Sequence, residues 1–260
     1  MEKNRPLILV TNDDGMFAPG IKALVQVAME FGEVVVVAPD SPQSAKGHAV
    51  TMQDPLRINQ VNVFEGVDAY ECTGTPVDCV KLAKYKVLDG RKIDLCVSGI
   101  NHGSNASVNI IYSGTMSAAM EASLDEIPSI GFSLLNYSFD ADFGPSKVIA
   151  RKIIQSVLKN DLKETRLLNV NIPDQPLDQI RGVKVCRQAD GRWVEEFQEG
   201  EDPRGQKYYW LTGRFILENV KEGTDIHALD SNYVSIVPSG HDLTIYPAIS
   251  ANKYLETIRL

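Results

Sequence analysis

The chain has 260 residues, 43% of them hydrophobic and 23% charged, enough to bury a sizeable core in one large domain or in one domain with an appendage. Its 26 basic and 34 acidic residues leave a net charge of −8, which argues against bulk binding to nucleic acid or to an anionic membrane, since both call for a basic face. A small anionic ligand stays open, because a bound cation reverses the local field.

In chain order, Leu7 to Val10 reads as a short buried strand and Asn12-Asp13-Asp14-Gly15 as a sharp turn leaving it. Ile21, Leu24, Val25, Ala28 and Met29 are spaced for one face of a helix. "EVVVVAPD" (Glu33 to Asp40) is a β-branched run suited to a strand buried on both faces. "TPVDCVKLAKYKVL" predicts a helix capped by Thr75, with Pro76 at its first position, Asp78 in its first turn, and Val77, Val80, Ala83 and Val87 on its apolar face. Ile93 to Gly99 reads as a strand, Thr115 to Leu124 as a small-residue helix, and Pro128 to Leu134 as a strand. "SKVIARKIIQSVL" follows as a helix with Val148, Ile149, Ile153 and Val157 inward, and "RLLNVNIP" as a strand. This alternation predicts an α/β fold, a Rossmann-like doubly wound and mostly parallel sheet, over residues 1–175.

Beyond Pro173 the texture becomes β-rich, giving an extension over 176–260 that belongs to the same structural unit. Asp190-Gly191 predicts a hairpin turn between the arms of "VKVCRQADGRWVEEFQ". "GQKYYWLTGRFIL" and "NYVSIVPS" are also extended, with "QEGEDPRGQ" as a polar loop between strands. Trp193, Tyr208, Tyr209 and Trp210 concentrate here, and long hairpins bearing aromatic residues suit association between copies. Cys72, Cys79, Cys96 and Cys186 form no CxxC pair and read as buried reduced thiols. Met1 to Pro6 leads straight into the first strand without a signal-peptide pattern, and no apolar run reaches about 18 residues, so a cytoplasmic protein is expected.

Four segments set oxygen-bearing side chains just after predicted strands: Asp13-Asp14, "SPQSAKGH" (Ser41 to His48), "GINHGSN" (Gly99 to Asn105) and "YSGT" (Tyr112 to Thr115). In a parallel sheet such loops converge at one edge, where ligands bind. Phosphate binders commonly place a bare helix N-terminus there, whereas two adjacent aspartates repel phosphate unless a cation lies between them. All-oxygen donors suit Mg²⁺, Mn²⁺ or Ca²⁺ rather than zinc, and two Asp, one Ser and one Asn would fill about four of six octahedral positions. Water and a phosphoryl oxygen could take the rest, an arrangement for metal-assisted phosphate hydrolysis.

Taken singly, each element also has an ordinary explanation. Asn12 to Gly15 can be a turn, Ser113-Gly114-Thr115 a helix cap, and His48 and His102 hydrogen-bonded loop residues. The conjunction carries the reading. A receiver-type signalling domain would need a third aspartate where the middle strand ends in Ser98-Gly99, and a dinucleotide-binding dehydrogenase would need GxGxxG after the first strand. A binding protein with a degenerate site remains a non-enzyme alternative.

The motifs "ILVTNDDG", "VVAPDSPQSAKGHAVT", "GTPVDCVKLA", "DLCVSGINHGSN" and "YSGTMSAAMEA" resemble, in order and spacing, the SurE (survival protein E) family of metal-dependent 5′-nucleotidases and acid phosphatases; "LLNVNIP" and "KYYWLTG" fit its later strands. The resemblance implies a homodimer or homotetramer with an exchanged C-terminal arm. It implies one divalent cation per subunit, Mg²⁺, Mn²⁺ or similar, held by Asp13, Asp14, Ser44 and Asn101, with the two aspartates catalytic. Asn105, Ser113, Gly114 and Thr115 would form the phosphate pocket, with Gly47 and His48 at its mouth. The family loop commonly reads Gly-Pro-Asn where this chain has Gly103-Ser104-Asn105, which leaves Asn101 untouched. The implied reaction is hydrolysis of nucleoside 5′- and 3′-monophosphates, and of short polyphosphate. Water is favoured as nucleophile over a liganded aspartate, whose charge is already partly neutralised.

Overall fold

Leu7 to Thr11 is buried along its whole length as β1, because its side chains alternate between two helical layers. The computed structural model to which it belongs describes residues 5–217 and 220–258. The stretch Met1 to Asn4, read above as leading into this strand, lies outside the described residues. α1 (Pro19–Ala28), β2 (Glu33–Pro39), β3 (Ile58–Val61) and β4 (Asp68–Cys72) follow. α2 (Pro76–Leu82) continues into a π-helical turn at Ala83–Val87 and leads to β5 (Leu95–His102). Then come α3 (Asn109–Tyr112), α4 (Gly114–Leu124), β6 (Ser129–Leu134), α5 (Gly144–Asn160) and β7 (Leu167–Ile172). β8 (Gly182–Val185), β9 (Gly191–Glu201), β10 (Lys207–Leu217), α6 (Asp225–Asp230), β11 (Tyr233–Ser239), α7 (Tyr246–Ala251) and a 3₁₀ helix at Lys253–Thr257 complete the order.

Nine strands form one mixed, mostly parallel sheet in the order β3-β4-β2-β1-β5-β6-β7-β11-β8. β3 runs antiparallel to β4, and β11 antiparallel to β7, at the two sides of a parallel centre. Ile8, Val10, Val34, Val36, Leu95 and Val97 pack with α1 and α5 on one face, while Leu7, Leu9, Val35, Val37 and Cys96 pack with α2 and α4 on the other. Each fully buried Ile, Leu or Phe of this kind contributes roughly 1.5–3 kcal/mol. The chain leaves β1 for β2 on one side and later returns to β5 on the other. The crevice above the β1 and β5 ends is therefore the point where the strand order reverses, the place where such sheets bind ligands.

Two local devices aim the loops at that crevice. Thr75 and Asp78 form a reciprocal capping box at α2, and the Asp78 carboxylate also accepts from Thr51 N at 3.2 Å and Thr51 Oγ1 at 2.6 Å, tying down the long β2–β3 connection. In β5, Ser98 pairs with Gly131 but Asn101 with Ser133, so one extra residue is accommodated as a bulge. Gly99 takes it up at φ +117°, where a Cβ would lie 2.3 Å from Phe132 O. The shift puts Ile100 in the core beside α1 and brings Asn101 into register with Ser133.

The C-terminal part departs from the sequence expectation in one respect. Asp190-Gly191 is not a hairpin turn: β8 joins β11 in the large sheet, and β9 pairs instead with β10 as a separate two-stranded ribbon. The turn of that ribbon is Asp202 to Gln206, where the Asp202 carboxylate accepts from Arg204 N at 2.8 Å and Gln206 N at 3.0 Å. The two arms separate because Asp225 fastens the segment between them, accepting from Ala189 N at 2.8 Å. Among the described residues no helix is long and apolar enough to cross a membrane.

Candidate functional site

Asp13, Ser44, Asn101, Asn105 and Ser113 line one cleft of about 580 Å³ over the crevice. Tyr112 and Tyr137 flank it, and the base of the β9–β10 ribbon closes one side with Trp193, Glu195 and Leu211. Four sequence-distant loops thus meet as the parallel sheet requires. A wider groove of about 920 Å³ lies at the opposite ends of the strands. Its basic side chains Lys84, Arg91, Lys92 and Arg166 face as many acidic ones, Asp94, Asp125, Glu126 and Asp161, so it offers no excess charge to a ligand.

Asp13 is 5% exposed and its Oδ1 accepts from the Thr115 hydroxyl in the first turn of α4. Gly114 makes that approach possible: a Cβ there would lie 2.6 Å from Asp13 Cβ and 2.9 Å from its Oδ2. Asp14 is half-buried, and its Oδ2 accepts from His102 N at 3.3 Å, beside Asn101. Burial, and then the neighbouring Asp14 charge, push the Asp13 carboxyl up to about 6 against the Thr115 hydrogen bond. Burial likewise raises Asp14 to about 6. A buried and a half-buried carboxyl that resist ionisation side by side are a natural seat for a cation.

The neutral donors are set with their oxygens available. Asn101 Nδ2 donates to Gly103 O at 2.9 Å, which leaves its Oδ1 as the uncommitted end of the amide. Ser44 sits in a turn closed by Lys46 N donating to Gln43 O at 3.3 Å, and Gln43 N donates to Asp13 O at 2.8 Å. Among the described residues no three His, Cys, Asp or Glu side chains gather as a metal site. Two carboxylates completed by a hydroxyl and an amide form an all-oxygen set, which fits a hard divalent cation and not zinc.

Ser113 caps α4, its Oγ accepting from Met116 N at 3.0 Å, and the helix points its N-terminus at the cleft. Thr115 is fully buried and reaches Asp13 rather than the cleft. Gly47 and His48 lie off the cleft wall: Gly47 N donates to Tyr112 O at 3.2 Å, and His48 Nε2 faces Glu121 at 2.9 Å. His102 Nδ1 bonds Ser138 O at 2.8 Å, and its ring stacks on Phe139.

Several supporting residues escaped the reading of the sequence. Asn105 N donates to Asn171 Oδ1, Asn169 Nδ2 donates to Asn105 O, and Asn105 Nδ2 donates to Ser133 Oγ, each at 2.8 Å. This buried amide network fixes the Asn105 loop. Its signal was visible in "LLNVNIP", where two amides on one face of a buried strand must find partners. Asp225, fully buried, accepts from Ser107 N at 2.8 Å and braces the same loop from the far side.

The chain is similar to known proteins along most of its length. The family model described as Survival protein SurE matches residues 8–195. A 5′-nucleotidase SurE of Christiangramia forsetii is 55% identical over 248 residues, covering 95% of each chain. A protein of the same name from Cytophaga hutchinsonii is 53% identical over 243 residues, covering 94% of each chain. The crystal structure of the SurE protein from Aquifex aeolicus superposes with a TM-score of 0.82 at 38% identity, covering 96% of this chain and 100% of that one.

Proposed function

The chain belongs to the SurE family, and on that premise we propose that it is a divalent-metal-dependent phosphomonoesterase of the 5′-nucleotidase type. Its substrates are nucleoside 5′- and 3′-monophosphates, with short polyphosphate as a further class, and its products are nucleoside and phosphate. It works as a cytoplasmic homodimer or homotetramer. The observation that carries the reading is the meeting of Asp13, Ser44 and Asn101 in one cleft, with Asp14 alongside and the N-terminus of α4 opposite. Fold likeness alone would not license an activity.

Asp13, Asp14, Ser44 and Asn101 would hold one Mg²⁺ or Mn²⁺ per subunit. Bound there, the cation supplies a Lewis acid for a phosphoryl oxygen and makes an attacking water more acidic. The protein does the rest by placement. Thr115 fixes the rotamer of Asp13, and His102 N fixes that of Asp14. Only two of the four ligands carry charge, so the loaded site is neutral and does not repel a dianionic monoester as an unfilled aspartate pair would. Ser113, Asn105 and the Gly114 N–H at the start of α4 would face the phosphoryl oxygens and stabilise charge as it develops, each such donor contributing about 10²-fold or more in rate, while Thr115 directs both its hydroxyl and its N–H to Asp13. Tyr112, Tyr137 and Trp193 offer flat apolar surface for a base.

The test is phosphate release from a panel of nucleoside 5′- and 3′-monophosphates and short polyphosphate, after chelation and again with Mn²⁺ or Mg²⁺ restored. Activity should return with metal in the native protein and not in Asp13→Asn. A well-folded oligomer that stays inactive with every metal would refute the enzyme reading.

A further inference from the structure

α4 is built almost wholly of small or apolar residues, yet it carries one carboxylate in its buried middle. Glu121 is 7% exposed. Its Oε2 accepts from His48 Nε2 at 2.9 Å, and its Oε1 accepts from Lys81 Nζ on α2. Burying such a group is unfavourable even when it is paired, so an apolar residue would serve the helix better if packing were all that mattered.

We propose that Glu121 is a positioning residue for Ser44, holding the Ser41 to His48 loop on α4 in the shape that presents the Ser44 hydroxyl to the cation. The inference rests on the cation site proposed above. Ser44 lies at the second position of the Gln43–Lys46 turn, with Ala45 at φ +59°. The incoming limb of that turn is pegged by Gln43 N donating to Asp13 O. The outgoing limb is pegged by Gly47 N donating to Tyr112 O and, one residue on, by His48 on Glu121. Beyond it, Ala49 O accepts from Thr75 Oγ1 at 2.7 Å.

α4 is the common frame. Its first turn grips the Asp13 carboxylate through Thr115, and about 9 Å further along the axis Glu121 grips the return limb of the Ser44 loop. A charged and a neutral ligand from two different loops are thereby referred to one rigid element. Of the two partners of Glu121, only His48 belongs to the loop; Lys81 balances the buried charge from α2.

The experiment measures Mn²⁺ affinity by calorimetry for the native protein, Glu121→Ala, His48→Ala, Ser44→Ala and the Glu121→Ala/Ser44→Ala double variant. Hydrogen exchange at residues 43–48 is followed in the metal-free proteins. Glu121→Ala and His48→Ala should each weaken Mn²⁺ binding by about tenfold or more and speed exchange of the Gly47 amide. In the Ser44→Ala background, Glu121→Ala should cost less than about a further twofold, because the ligand it positions is gone. The full loss persisting without Ser44 would overturn the proposal, and so would unchanged affinity in both single variants. A native protein that binds no Mn²⁺ overturns the cation site together with this inference; native binding with equal binding by the variants overturns this inference alone. Should Glu121→Ala fail to fold, His48→Ala removes the same contact from its partly exposed side.

Discussion

Asp13→Asn should make the metal-free protein more stable while destroying its site. The substitution is isosteric and keeps an Oδ1 acceptor for the Thr115 hydroxyl, so packing around Gly114 is preserved. What it removes is a charge the fold resists. The Asp13 carboxyl is raised from 3.8 to about 6, by burial first and the Asp14 charge second. An acid whose pKa is raised on folding is favoured below its unfolded value and penalised as pH rises through the folded one. A shift of about 2 units corresponds to about 3 kcal/mol of destabilisation at neutral pH. Allowing for the cost of burying an amide, the chelated variant should exceed the native protein by about 2 kcal/mol near pH 7.5, or roughly 5 °C in Tm. The gap should close as pH falls through 6 towards 4. Added Mn²⁺ should reverse the order, since only the native site gains binding energy. Urea unfolding of both proteins at a series of pH values, with and without Mn²⁺, reads all of this. A metal-free variant no more stable than the native protein at neutral pH would show that the carboxyl pair is not strained by its own charge, and the physical case for a cation there would fail.

Metal affinity should itself fall as pH drops through about 6, because protons compete for Asp13 and Asp14; calorimetry with Mn²⁺ at two pH values checks it. Gly114→Ala sets a Cβ 2.6 Å from Asp13 Cβ and should displace the carboxylate, costing about 1–3 kcal/mol of stability together with loss of Mn²⁺ affinity and turnover. Asp225→Ala orphans the buried N–H groups of Ser107 and Ala189 and the half-buried one of Ile226, and should lower stability by about 2–4 kcal/mol, read by thermal unfolding. Phe197→Glu with Trp210→Glu, at side chains 68% and 66% exposed on the ribbon, should shift the protein towards monomer in light scattering without altering its circular dichroism.

The centre of the sheet was legible because its strands are β-branched runs buried on both faces, and α2 because Thr75, Pro76 and Asp78 announce its start. β3 and β4 were not: "INQV" and "DAYEC" are short strands at one side of the sheet with mixed polarity, and neighbouring chain rather than intrinsic preference makes them strands. The misplaced hairpin has a definite cause. Asp190-Gly191 has good local turn chemistry, but Asp225, 35 residues away from Asp190 in the chain, accepts from Ala189 N and settles where the arms go. In the site, strand-end positions were enough to bring four segments together, the resemblance singled out Ser44, Asn101 and Asn105 within them, and these line one cleft with Asp13 and Ser113. What they could not convey is division of labour between neighbours. Thr115 serves Asp13, His48 serves Glu121, and the wall formed by Trp193, Glu195 and Leu211 comes from a ribbon whose docking no local pattern encodes.

The extra residue in β5 makes that strand a sequence written in two reading frames. Up to Ser98, odd-numbered positions point to α1 and α5; from Ile100 onward the even-numbered ones do, as Ile100 in that core records. Forcing Gly99 into ordinary pairing, with no residue removed, would leave every downstream side chain chemically intact and facing the wrong layer, with Ile100 turned towards α4 and Asn101 turned into the apolar core. Deleting Gly99 outright would merge the two frames, leaving Ile100 and Asn101 on the faces they now occupy while removing the local bend that the bulge gives the strand. One bulged glycine thus decides which layer receives each residue from Ile100 to His102, although it offers no functional group of its own.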